Sequence, residues 1–235
     1  MRDLVYMIRF FSIVTPIPPL MAPALMAVAG VATALIVLDG GRSAAALTPL
    51  LLLQLFAASS GFMVPARRGH YDLLLTGGYG RVRIAATHWA ASILPGIAMW
   101  LGVGTIGIAA ADGPGGSVLS SGSAVALTLV STVPWAATIA LPRFTAAIAW
   151  LLMLATAAAV FPADRAHAVL DPLDSPSSWL TASLAVTLYP VALVGQDLTG
   201  ARAALAIPAV IVAAGSMVAA FVWIGRRDIP LEAAQ

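Results

Sequence analysis

Residues Ala124 to Phe161 read AVALTLVSTVPWAATIAL, then Pro142-Arg143, then FTAAIAWLLMLATAAAVF. Apart from Arg143 the stretch carries no charge. As one helix at 1.5 Å per residue it would run to roughly 55 Å, nearly twice the ~30 Å of hydrocarbon in a bilayer. Divided at Pro142-Arg143, each half is close to the roughly 20 apolar residues that one crossing needs. The stretch is therefore read as two membrane spans joined by a tight hairpin, with the arginine at its turn.

Four more windows of the same kind lie outward from this hairpin: Met21–Leu38, Ala44–Val64, Trp89–Ala110 and Ala203–Ile224. None contains an ionisable acid or base. Backbone groups in lipid must bond within their own segment, so such uniformly apolar runs are helices, and alternation of the β-barrel kind is absent. The composition agrees: 60% of the residues are hydrophobic and 9% charged, against about 25% charged in soluble domains. Mean hydropathy is +0.96. The sequence predicts an all-α membrane protein of six transmembrane helices, forming one domain over residues 1–235.

A seventh apolar stretch, Trp179–Gly195, is shorter, contains Pro190 and carries Thr181, Ser183 and Thr187. Arginine placement decides its reading. With six spans, nine of the 12 basic residues fall on one side and only Arg42, Arg165 and Arg202 on the other, as the positive-inside rule requires. A seventh span would move Arg226 and Arg227 to the sparse side. Trp179–Gly195 is thus expected to be a re-entrant or interfacial helix within an outer loop, 162–200, before the last span. Both termini are expected in the cytoplasm, and a bacterial inner membrane is the expected setting. Residues 1–15, with Arg2, Tyr6, Arg9 and Ser12 at helical spacing, read as an amphipathic interfacial helix lying on membrane lipid. Arg9 and the prolines at 16, 18 and 19 argue against a cleaved signal peptide.

Little in the sequence supports catalysis. There is no cysteine and no lysine, and the 12 strongly basic side chains are all arginine. A phosphate-cradling loop of the Walker A type needs a lysine, so no nucleotide-hydrolysing site is expected. Neither catalytic residues nor a cofactor or metal site are expected in this chain. The acidic residues fall at the edges of the spans, which argues against a proton- or sodium-driven transporter. His88, at the head of the third span, reads as an interfacial residue. The net charge of +2 follows from topology and implies no nucleic-acid partner. Gln54, Ser59, Ser60, Thr128, Ser131 and Thr132 are polar positions within spans. They are candidates to line a path, or to bond to neighbouring helices.

The loop over 65–83 is the informative segment. Arg67, Arg68, Arg81 and Arg83 surround a short helix-like core, Tyr71–Thr76, that ends at Gly77-Gly78. Three consecutive leucines, Leu73, Leu74 and Leu75, exposed in a basic cytoplasmic loop, suit docking onto another protein. An interfacial helix on lipid headgroups would satisfy the same pattern.

Arg67-Arg68-Gly69-His70-Tyr71-Asp72-Leu73-Leu74-Leu75-Thr76, followed by Arg81 and Ile84, resembles the loop motif of the ABC-2 family of ABC transporter permeases. Gly69, Asp72, the leucine run, Thr76, Arg81 and Ile84 match. Arg68 stands where the family has a glutamate, Gly78 where it has a proline, and His88 where a lysine often opens the third span. The resemblance covers the whole architecture, from interfacial helix to last span. It implies that this chain, no enzyme itself, is the transmembrane permease subunit of an exporter. It would pair with a second permease, identical or paralogous, and with separate ABC ATPase subunits that hold ATP and Mg. Gly69, Tyr71, Asp72, Leu73, Leu74, Leu75, Thr76 and Arg81 would form the ATPase-coupling segment. The permease of cytochrome c maturation is the nearest relative reading within that fold. A membrane protein of another class, an assembly factor or a structural subunit of a respiratory complex, is the alternative. Its partners would be redox subunits.

Overall fold

The computed structural model describes residues 71–110, 119–140 and 175–226, with isolated positions between 27 and 58. The predicted interfacial helix at 1–15 and the span Phe144–Phe161 lie outside the described residues. Of the first two spans, Ala27, Gly30, Val31, Thr33 and Ala34 are helical, as are Leu50, Leu51, Gln54, Leu55 and Ala58.

Among the described residues that follow there are five α-helices, in chain order α1 (Asp72–Thr76), α2 (Arg81–Ala110), α3 (Ser121–Ala140), α4 (Pro176–Leu188) and α5 (Ala206–Arg226). Two short 3-10 helices, Pro190–Leu193 and Gly200–Leu205, connect α4 to α5. There are no strands among the described residues. Among the described residues three segments are long and apolar enough to cross a membrane: Arg81–Ala109, Ser121–Ile139 and Arg202–Arg226. They correspond to three of the six expected spans.

α3 is the central helix. In its span 72% of the apolar window is buried, against 29% for α2 and 22% for α5. Ala209, Ala213 and Ala220 let α5 approach α3 closely, as small residues do between membrane helices. The opposite face of α5 shows Ile207, Val210, Ile211 and Val218 more than half exposed. A surface of that kind in water would be an association site. Facing lipid, it is what a span requires, and the chain is a membrane protein.

The start of α2 differs from expectation. The helix begins at Arg81 rather than Trp89 and runs for 30 residues, about 45 Å at 1.5 Å per residue. Nothing in Arg81–His88 breaks a helix, so it continues beyond the apolar window into the segment expected to be loop. The turn before it is set by glycine. Tyr79 donates its N–H to the Leu74 carbonyl and Gly78 to that of Leu75, with Gly78 at φ 81°. This is the six-to-one and five-to-two closure that ends a helix through a left-handed residue.

α4 has 13 residues, is capped by Ser175 and Ser178, and carries Pro176 in its first turn, the position where proline is pre-organised. At about 20 Å it is too short to cross the hydrocarbon. It buries Ala182, Ala185 and Val186 and exposes Leu180, Leu184 and Leu188.

The buried side chains form two clusters. One, at the Ser120 end of the bundle, gathers Leu50, Leu51, Ala126, Leu127, Val186, Leu193 and Ala209. The other, at the Tyr71 end, gathers Tyr71, Leu74, Ile84, Trp135, Ile139 and Ile224.

Candidate functional site

The short helix α1 rests on the ends of α2, α3 and α5. Tyr71 is 1% exposed and Leu74 is 3% exposed, and both belong to the cluster that includes Trp135 and Ile224. The expectation of three exposed leucines is therefore corrected: Leu74 is turned into this chain's own core and Leu75 is half-buried. A five-residue helix cannot hold itself together, and its apolar side chains are what fasten it. The exposed positions of the segment are Asp72, Thr76, Gly77, Gly78, Gly80, Val82 and Arg83. Asp72 is in the first turn of α1, where a carboxylate favours the helix dipole. Thr76 donates its hydroxyl to the Asp72 carbonyl at 2.8 Å. Arg81 is half-buried at the head of α2, and the Arg83 guanidinium lies 5.1 Å from the centre of the Tyr79 ring. Gly69 lies outside the described residues, and nothing is described of the Leu73 side chain.

Beneath α1 an aromatic stack ties the three long helices together. The Tyr71 ring meets His88 edge-on at 6.5 Å. Trp135 donates its indole N–H to His88 Nδ1 at 3.0 Å and packs edge-on against Phe221 of α5 at 6.1 Å. With Nδ1 accepting, the neutral ring carries its proton on Nε2. His88 is 4% exposed, so the interfacial role expected of it is also corrected. It lies inside because Trp135 and Tyr71 cover it. Burial pushes the Tyr71 phenol well above its ordinary pKa, because the phenolate would lose its hydration.

The polar positions within the spans do not share one surface. Gln54 is 1% exposed, and its Nε2 donates to the Ser92 carbonyl at 2.9 Å. Its side chain crosses α2 at Gly96, where an added Cβ would fall 2.5 Å from Oε1. Thr132 is buried and accepts the Trp89 indole N–H at 3.3 Å. Ser131 is fully buried, and its Oγ is the one buried side-chain polar atom without a partner among the described residues. Thr128 points out of the bundle and bonds back to the Ala124 carbonyl. Ser59 and Ser60 lie outside the described residues. Gln54, Ser131 and Thr132 thus occupy the interior, and Thr128 does not.

A second polar assembly at the other end had no counterpart in the sequence reading. The start of α3, Ser120-Ser121-Gly122-Ser123, clasps the chain that follows α4. Ser121 Oγ accepts the Leu198 N–H at 2.8 Å, and Ser123 Oγ accepts that of Gly195 at 3.1 Å. Gly122 donates to the Gln196 carbonyl at 3.0 Å. Any side chain at Gly122 would collide with the carbonyls of Leu193 and Gln196. A serine cap ahead of an apolar run was legible, but not what else it would bind.

Among the described residues no three His, Cys, Asp or Glu side chains converge. No protein-family model matches this chain, and neither does any curated protein or solved structure.

Proposed function

We propose that this chain is the transmembrane permease subunit of an ATP-driven exporter of the ABC-2 type. The observation that carries the reading is α1. A short helix outside the spans, bearing the sequence that resembles the family's loop motif, is anchored by Tyr71 and Leu74 onto α2, α3 and α5. A force applied to its exposed face, at Asp72 and Thr76, would reach three helices at once. The ATPase would supply ATP and Mg from separate subunits, and a second permease, identical or paralogous, would complete the translocation path.

In this reading the chain has six spans with both termini in the cytoplasm of a bacterium, and α1 faces the cytoplasm. The helix α4, too short to cross and lined with exposed leucines, is then re-entrant or interfacial on the outer side. Its return to α5 is held by the serine clasp.

The test is co-purification. The tagged chain, extracted in mild detergent from its own host, should bring down a protein with a Walker A lysine loop. Asp72→Arg should release that protein while leaving the chain in the membrane. Recovery of redox subunits instead, or undiminished ATPase recovery with Asp72→Arg, would overturn the reading.

A further inference from the structure

The start of α2 and the end of α5 meet beside α1. Ile84 and Ile224 are buried together in the cluster at that end. Gly225 faces Val82, since a Cβ added at Gly225 would lie 3.8 Å from Val82 Cγ2. Arg83 and Arg226 each come one residue after this contacting pair, and both are exposed. At about 100° per residue the two arginines therefore turn away from the contact and flank the outer side of the seam. The Arg83 guanidinium lies over the Tyr79 ring, 5.1 Å from its centre, and a stacked guanidinium still donates in its own plane. Arg227 and Asp228 follow in sequence and lie outside the described residues.

From Arg226 an apolar track runs back along α5. Val222, Val218, Gly215 and Ile211 recur at helical spacing on one face, and all of them are exposed. From Val222 to Ile211 the track is about 16 Å long at 1.5 Å per residue, close to one leaflet of a ~30 Å hydrocarbon core. Gly215 makes a notch in it, because a Cβ there would meet nothing within 4 Å. Trp223 is 41% exposed beside the arginines, at the level where membrane tryptophans gather. Charge then selects what fits. The positive end of the α2 dipole and the negative end of the α5 dipole lie side by side and offset one another. The two guanidiniums set the sign at the seam, while the carboxylates among the described residues, Asp72 and Asp197, belong to α1 and to the far end of the bundle.

We infer that the outer seam between α2 and α5 holds one anionic phospholipid, drawn from the leaflet on the α1 side. Its phosphate sits between Arg83 and Arg226, and an acyl chain follows Val222, Val218, Gly215 and Ile211. Guanidinium groups bond phosphate oxygens through a planar fork of donors. A zwitterionic headgroup would bring its own cation against the second arginine, whereas an anionic one brings none. Free phosphate would use the arginines and leave the track bare. This surface is separate from the exposed face of α1 at Asp72 and Thr76, and the inference does not rest on an ATPase. The lipid ties α2 to α5 whatever binds α1.

Phosphatidylglycerol and phosphatidylcholine with matched chains are the probes, added in equal amounts to the full chain in neutral detergent and counted by native mass spectrometry. One phosphatidylglycerol should be retained in preference to phosphatidylcholine by on the order of tenfold, as two arginines near an anionic headgroup allow. Arg83→Gln and Arg226→Gln should each lower the preference, and together bring it to parity. Both positions are exposed, so the thermal midpoint in lipid-free detergent should be kept. Gly215→Phe fills the notch with both arginines intact and should also lower phosphatidylglycerol retention. If the double exchange lost its midpoint, the single exchanges and Gly215→Phe would decide. Asp197→Asn raises the net charge equally far from the seam and should leave the preference unchanged. Equal retention of the two lipids, or a preference that survives the arginine exchanges or grows with Asp197→Asn, would overturn the inference. So would displacement of phosphatidylglycerol by inorganic phosphate, which marks an anion site without a lipid. The chain has no cysteine, so a disulfide between two copies through a cysteine replacing Val222 would place a second chain on the seam and overturn it as well.

Discussion

Leu74→Ala is the substitution that most sharply separates a fastened α1 from a loosely lying one. Leu74 is 3% exposed and packs in the cluster of Ile84, Trp135 and Ile224. Removing a buried leucine to alanine costs about 2–5 kcal/mol, the lower end where neighbours can collapse. α1 is at the end of the bundle, so a loss of about 3 kcal/mol is expected, which is on the order of a 100-fold change in a local opening equilibrium. The loss should be local. The amides of Leu74, Leu75, Gly78 and Tyr79 bond within the turn, and their hydrogen exchange should accelerate about 100-fold, because local opening then exposes them. The amides of α3 and α5 should keep their protection. Asp72→Ala, at an exposed position, should leave exchange within about threefold of the unmodified chain. If Leu74→Ala left the four turn amides protected, α1 would be held by something other than its buried leucine. Its role as a lever on the long helices would then fail.

Three other outcomes follow from the geometry. Trp135→Phe keeps a ring in the cluster but leaves the His88 Nδ1 acceptor unmatched, costing about 1–3 kcal/mol and lowering the thermal midpoint in detergent; restoration of the midpoint by His88→Leu would show that the acceptor is the cause. Gly122→Ala drives a methyl into the Leu193 and Gln196 carbonyls, so a cysteine replacing Leu198, buried in the unmodified chain, should become reactive while one replacing Ile224 stays protected. The Tyr71 phenol is held well above its ordinary value by burial; folding then favours the protonated form, a contribution fully present below about pH 10 and lost as pH rises through the folded pKa. Thermal stability should therefore fall above about pH 10, and Tyr71→Phe should flatten that fall.

The long elements were legible because lipid allows so few solutions. Uniformly apolar windows of sufficient length must be helices, and Trp89–Ala110, Ala124–Leu141 and Ala203–Ile224 are represented among the described helices. The boundary at Arg81 was not legible, since hydropathy marks where lipid ends and says nothing of where a helix ends. Leucine number was visible in Leu73–Leu75, but the direction of Leu74 depends on the turn at Gly78-Tyr79 that folds α1 back onto α2. His88 read as interfacial from its place beside a span. Its interior position depends on Trp135, distant in sequence. The serine clasp is likewise a product of long-range packing, which no periodicity in Ser120–Ser123 encodes.

The account stands or falls on what touches the exposed face of α1. A photoreactive label on a cysteine replacing Asp72, activated in native membranes of the host, would trap that neighbour covalently. The account predicts an adduct with a P-loop ATPase, diminished when Thr76→Arg is added to the same face. Adducts with lipid alone, or with a protein lacking a nucleotide site, would contradict it and leave α1 as a segment resting on the membrane surface.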